Sequence, residues 1–335
     1  MRLRKTTVLM IFVLIILFGG CGVKEQNNTV NKKENAEEGE FTEEFGVAIY
    51  DDSVSFTDGR GEKVILKKNP ERVVCLFNSY LEIWDSAGGK VIGTIEDSAE
   101  KSIEGAKDAE IVGTLGAPSL EKIISLEPDI VILNANSKIN MELVPALEQN
   151  GIDVVALNYF VKEDYFEIIR LFTALTDRDD LFEEYGLKVK SDVKSIIEKA
   201  PKDKNITALL MVASAKNITV RDSSSYVGQM LKDLNLENIS DGPVLSTEVK
   251  AFSLETILKE DPDYIFVQLT GTDQNKVFEK LKEDAESNPA WASLKAVKEG
   301  RYIFLPKDLY MYKANHRYAE AYEGLGKIIY PDIFN

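Results

Sequence analysis

Residues 306–318, PKDLYMYKANHRY, gather three tyrosines, a methionine, the chain's only histidine and three basic side chains within thirteen positions. Aromatic rings can flank a flat or apolar molecule, and Lys313 or Arg317 can pair with carboxylate or catecholate-type oxygens. His316, with Met311, Tyr310 or Tyr312, could reach a metal; the competing reading is a hydrogen-bonded helix residue, and no metal is assigned to it. Other short segments have a similar polar and aromatic character. They supply Asn78, Tyr80, Leu115, Asn134 and Tyr159 from the first half of the chain, and Arg221, Tyr226 and Gln268 from the second. For each of these the alternative role is surface or core filler.

This is chemistry for holding a molecule, and motifs for transforming one are missing. The chain contains no G-x-S-x-G, no Walker loop, no G-x-G-x-x-G, no C-x-x-C and no H-E-x-x-H. A single histidine leaves no multi-histidine zinc site. The reading is therefore not an enzyme; an extracellular enzyme without a recognisable motif, or an adhesin, are the remote alternatives.

The elements that position these residues are legible from a repeat. SLEKIISLEPDIVIL (119–133) returns as SLETILKEDPDYIFV (253–267). In each copy a serine, Ser119 or Ser253, precedes apolar residues at helical spacing and is a candidate N-cap. Glu121 and Glu255 then fall in a first helical turn, where the macrodipole favours a carboxylate. Pro128 and Pro262 end the helices, and the apolar runs that follow read as strands buried on both faces of a parallel sheet.

Similar strand-like and helix-like stretches alternate through both halves, so the expected fold class is α/β: two Rossmann-like lobes with mostly parallel sheets. Between them Phe182, Tyr185, Val189, Val193, Ile196 and Ala200 recur at steps of three or four, the pattern of one long α-helix despite Gly186. The expected organisation is residues 1–20 as a signal peptide, 21–45 as a flexible tether, 46–176 as the first lobe, 177–201 as the connecting helix and 202–335 as the second lobe. In open α/β sheets ligands lie beyond the carboxyl ends of the strands. That rule places FNSY (77–80), TLGAP (114–118), NANS (134–137) and NYF (158–160) opposite parts of 213–226, 268–272 and 306–318 across a cleft.

The N-terminus opens with Arg2, Arg4 and Lys5, an apolar run, and then Gly-Gly-Cys, the layout of a secretory signal. Cys21 resembles the acylated cysteine of a lipobox. The expectation is a monomer held by an acyl anchor at the outer face of the cell membrane. The formal charge of −16 argues against nucleic acid and against direct binding to anionic lipid.

The segments from FTDGRGEKVILKK through VGTLGAPSLEKIISLEPDIVIL and SYVGQMLKDLNLENI to NPAWASLKAVKEGRYIFL together resemble periplasmic-type binding proteins for iron-siderophores, haem and vitamin B12, over about residues 55–335. The resemblance implies delivery of a chelated ligand to an ABC permease dimer with its ATPase subunits. It also implies that Glu121 and Glu255 meet arginines on the two permease subunits. An iron-siderophore ranks first as the transported ligand, haem or another tetrapyrrole second and cobalamin third. Related haem binders place an axial Met in the loop before the SLE segment, where this chain has Leu115 and Ala117.

Overall fold

The apolar runs anticipated as buried strands form two separate sheets. A computed structural model describes residues 42–96, 103–241, 249–251, 253–271 and 273–334. Cys21, and with it the proposed anchor, lies outside the described residues.

In the first lobe β5 (Val73–Cys75), β6 (Gly93–Thr94), β7 (Glu110–Ile111), β10 (Ile130–Asn134) and β11 (Asp153–Leu157) form a parallel sheet in the order β11-β10-β5-β6-β7. Strand alternation divides its side chains between two faces. Cys75, Ile130, Ile132, Val155 and Leu157 pack with α1 (Asn78–Ser86) and α4 (Lys162–Leu175). Val74, Val131, Leu133, Val154 and Ala156 pack with α2 (Leu120–Ser125) and α3 (Lys138–Gln149). Burial pushes the Cys75 thiol up to about 12, so this cysteine is a core residue and an inert one.

The second sheet is mixed. Strands β12 (Ile206–Ala213), β14 (Leu236–Asn238), β16 (Tyr264–Leu269) and β17 (Tyr302–Phe304) run parallel, whereas β13 (Ile218–Arg221) is antiparallel to β12 and to β15 (Val249–Ala251). The order is β15-β13-β12-β16-β17, with β14 beside the start of β12. The turn from β12 to β13 is tied by the Ser214 side chain, whose hydroxyl accepts from the backbone N–H of Asn217 at 3.0 Å. One face of this sheet carries α8 (Leu254–Glu260) and α9 (Gln274–Leu281); the other carries α7 (Tyr226–Asp233) and α10 (Tyr318–Ile329).

The repeat serves the same local purpose twice. Ser119 and Ser253 accept from the backbone N–H groups of Lys122 and Thr256, both at 3.4 Å, and so cap α2 and α8. The residues before the two prolines, Glu127 and Asp261, both adopt positive φ (45° and 41°). A proline disfavours right-handed helical geometry in the residue before it, and a left-handed residue closes the helix. Asp129 then accepts from the N–H groups of Glu71 and Arg72, each at 2.8 Å, and Asp263 from that of Thr207 at 2.9 Å. Each Pro-Asp thus satisfies free backbone donors at the start of the neighbouring strand.

The connector runs as α5 (Asp179–Phe182), a π-helical turn (Glu183–Lys188) and α6 (Val189–Lys199). Gly186 explains the widened turn. A Cβ there would stand 2.4 Å from the Phe182 ring, which is itself buried beneath Arg170.

Two features were not legible in advance. A four-stranded antiparallel sheet, β1 (Thr42–Glu44), β2 (Val47–Ile49), β3 (Ser53–Thr57) and β4 (Lys63–Lys67), precedes the first parallel strand. Residues 42–45, expected within the tether, belong to it. Phe45 and Gly46 form the turn with both φ positive, the geometry that matches the strand twist. The Phe45 ring packs against Phe182 at 5.4 Å. The polar sequence TEE conceals a strand because an exposed edge strand needs only backbone pairing. The second feature is that one apolar cluster extends from Val47 through α4, α6 and α7 to Phe334, joining both lobes.

Candidate functional site

Glu121 and Glu255 are both exposed in the first turns of α2 and α8. Helix α2 follows β7 through the β8 (Gly113–Thr114) and β9 (Ala117–Pro118) hairpin, and α8 follows β15, which runs parallel to β12 through two antiparallel pairings. Each glutamate therefore stands at the carboxyl edge of its own sheet. Among the described residues neither carboxylate forms an ion pair.

The floor between the lobes is aromatic. Tyr159, after β11, and Tyr318, at the start of α10, bring their hydroxyls to 3.2 Å, and Tyr226 packs against Tyr318 with ring centroids 5.9 Å apart. Burial raises the phenol pKa of Tyr159 and Tyr318 well above the ordinary value, so both stay protonated. Lys313 Nζ lies 4.7 Å from the Tyr159 ring and 4.3 Å from the Tyr226 ring, and it donates to the Phe160 carbonyl at 2.7 Å. Three of the anticipated residues, Tyr159, Tyr226 and Lys313, thus meet at one place, where they tie lobe to lobe.

Other anticipated residues are committed elsewhere. Tyr80 is fully buried on the sheet-facing side of α1 and its hydroxyl donates to the Leu157 carbonyl at 2.8 Å, so it is core and not cleft lining. Tyr310 is likewise buried, its hydroxyl donating to the Ala321 carbonyl at 2.8 Å. Gln268 is buried and donates to the Tyr310 carbonyl. Arg317 is held by Glu320 at 2.7 Å and Asp308 at 3.0 Å; these hydrogen bonds raise its pKa and occupy the fork that an anion would need. In each case the residue type signalled a polar tip, but only three-dimensional packing reveals which way the tip points.

The remaining candidates sit at or near the edge. Asn134 Oδ1 accepts from the N–H of Asn136, whose side chain donates to Asn158 Oδ1 at 2.6 Å. Asn78 begins α1, and Leu115 is 40 % exposed at the hairpin tip between β8 and β9. Tyr312 is 40 % exposed beneath Lys307, with Met311 beside it half-buried. His316 is exposed and stands edge-on to Tyr185 at 5.6 Å. Among the described residues no three His, Cys, Asp or Glu side chains converge as a metal site requires.

Arg221 lies deeper. It pairs with Leu210 in the β12–β13 register, on the sheet face that carries α7 and α10. Its Nη1 is buried without a hydrogen-bond partner among the described residues. Such an unmet donor is costly unless a ligand satisfies it.

A polar seam beside these aromatic rings has no signature in the local residue pattern. Lys162 in the first lobe reaches Asp233 in the second at 2.7 Å, Tyr322 donates to the same carboxylate at 2.6 Å, and Gln229 donates to Glu163 at 3.2 Å. Burial pulls the Lys162 pKa down, but hydrogen bonds to Asp233 and Glu163 outweigh it and hold the amine above its ordinary value. Asn315 donates to Glu82 at 2.7 Å across the same boundary.

Comparison with known proteins agrees with this architecture. The chain is 28% identical to the Fe(3+)-citrate-binding protein YfmC of Bacillus subtilis, over 90% of this chain and 88% of that one. It is 27% identical to the iron(3+)-hydroxamate-binding protein FhuD of the same organism, over 71% and 74%. Staphylococcus aureus SirA, solved with staphyloferrin B, superimposes with a TM-score of 0.66 at 21% identity, covering 82% of this chain and 98% of that one. Residues 73–309 match the family described as periplasmic binding protein, and the chain, with its two α/β lobes, belongs to that family.

Proposed function

We propose that the protein captures a ferric chelate between its lobes and presents it to the permease of an ABC importer. It is a binding protein and not a catalyst. The observation that supports this reading is the equivalence of Glu121 and Glu255: both are exposed carboxylates, each in the first turn of a helix at the carboxyl edge of its sheet. Pseudo-symmetric tips suit a two-fold symmetric permease, each engaging one subunit. Exposed ion pairs contribute only about 0.2–1 kcal/mol each, so the pair sets orientation more than affinity. Curated relatives that carry ferric citrate and ferric hydroxamate support the class of cargo. Acylation of Cys21 would hold the body at the outer face of the membrane.

The double variant Glu121→Ala/Glu255→Ala is expected to bind iron complex as the parent does while uptake by cells falls to background. Uptake at the parental rate would refute the docking role. Loss of palmitate labelling in Cys21→Ala checks the anchor.

A further inference from the structure

A groove of about 410 Å³ lies between α4 and α6, beside the β1–β2 turn. Its size falls among small-molecule sites, which run about 300–1,000 Å³. Phe45, Phe166, Val193 and Ile197 give it an apolar lining. Helix α6 contributes positions 190, 193, 194, 197 and 198, one face of the helix, which extends along the groove for about 12 Å. An apolar strip of that length suits an extended alkyl chain, which leaves water as it settles there.

The charged residues at the groove are three lysines and two glutamates. Lys162 lies 3.0 Å from Glu163, and Lys194 lies 3.7 Å from Glu198. Lys162 is held further by Asp233 at 2.7 Å. Lys190 is left over. Among the described residues its ammonium has no carboxylate partner, and it rests 4.4 Å from the centre of the Phe45 ring, whose face attracts it. In a chain of formal charge −16, an uncompensated cation beside an apolar groove is a local reversal of sign.

We infer that this groove binds a free straight-chain fatty acid, with the alkyl chain along Phe166, Val193 and Ile197 and the carboxylate on Lys190 beside Phe45. A neutral alcohol of the same length would leave the ammonium without a counter-charge, and a cationic amphiphile would set two like charges together. The site shares no residue with the segments expected to line the cleft, so the inference does not rest on the ferric-chelate reading.

Equilibrium dialysis of the full chain against decanoate, decanol and decyltrimethylammonium, each below its micelle-forming concentration, tests this. One saturable site should take decanoate at least about tenfold more tightly than decyltrimethylammonium, with decanol between them. Lys190→Gln should weaken decanoate about threefold and Lys190→Glu about tenfold, as an exposed ion pair is lost and then reversed, while neither weakens decyltrimethylammonium. The carboxyl carbon of carbon-13-labelled decanoate should titrate at lower pH on the parent than on Lys190→Gln, because the ammonium favours the ionised form. Ile197→Asp should abolish saturable binding; if it does not fold by circular dichroism, the head-group order and the Lys190 variants decide alone. Absence of saturable decanoate binding would overturn the inference, and so would equal or tighter binding of decyltrimethylammonium. Affinity unmoved by Lys190→Glu, as capture by the apolar run at 8–18 would give, would also overturn it. A dimer in sedimentation that Ile197→Asp dissociates would assign the groove to a second copy of the chain and overturn it likewise.

Discussion

The hydroxyls of Tyr159 and Tyr318, 159 positions apart in sequence and in different lobes, lie 3.2 Å from each other in a buried setting. This contact lies in the core between the lobes, so its polar atoms must satisfy one another. Replacing either tyrosine alone with phenylalanine leaves a buried hydroxyl short of a partner, and each single variant should lose about 1–3 kcal/mol in urea unfolding. The double variant should lose less than the two single losses added together. Strict additivity would show that the hydroxyls do not depend on each other.

At the seam, Lys162→Met strips Asp233 of its cation and should cost about 1–3 kcal/mol, because the carboxylate stays partly buried beside Tyr322. The Lys162 pKa is raised on folding from the ordinary 10.5. Its contribution is therefore fully present below that pH and is lost as pH rises through the higher folded value. Parent and variant should accordingly converge in thermal stability only in strongly alkaline buffer. A constant gap across that range would contradict the ionic account.

Gly186→Ala is expected to destabilise the protein although alanine favours helices. The helical gain is about 1 kcal/mol, whereas the added methyl group meets a Phe182 ring fixed between Arg170 and Phe45. Overpacking of this kind costs about 1–3 kcal/mol, so a net loss in chemical denaturation is expected. A stabilised variant would mean that the π turn relaxes to an ordinary helix without cost.

The repeated aspartates offer a comparison within one chain. Asp129→Ala removes the acceptor for two backbone donors and Asp263→Ala the acceptor for one, with the Thr207 hydroxyl also losing its partner at 3.2 Å. Each should cost about 1–3 kcal/mol. The sites share no partner and lie in separate sheets, so the double variant should show the sum within about 0.5 kcal/mol.

Much of the scaffold is legible in local pattern because its physics is local. Ser119 and Ser253 cap what they precede, Pro128 and Pro262 stop what they follow, and IVIL and YIFV are buried on both faces because nothing in them tolerates water. The small sheet that begins at Thr42 is not legible, since alternation is faint in its edge strands and pairing is the whole signal. The region between the lobes is the least readable part. Tyr80, Tyr159, Tyr310 and Tyr312 are the same residue in similar surroundings of sequence, yet three are buried by unrelated contacts and one is 40 % exposed. The partners of Arg317 and Lys313 are equally invisible until the chain folds.

The apolar cluster running from Val47 to Phe334 leaves no plane along which the halves could part without exposing their common interior. Any movement of one half against the other therefore has to repack or expose apolar side chains, so the two lobes share the cost of every rearrangement.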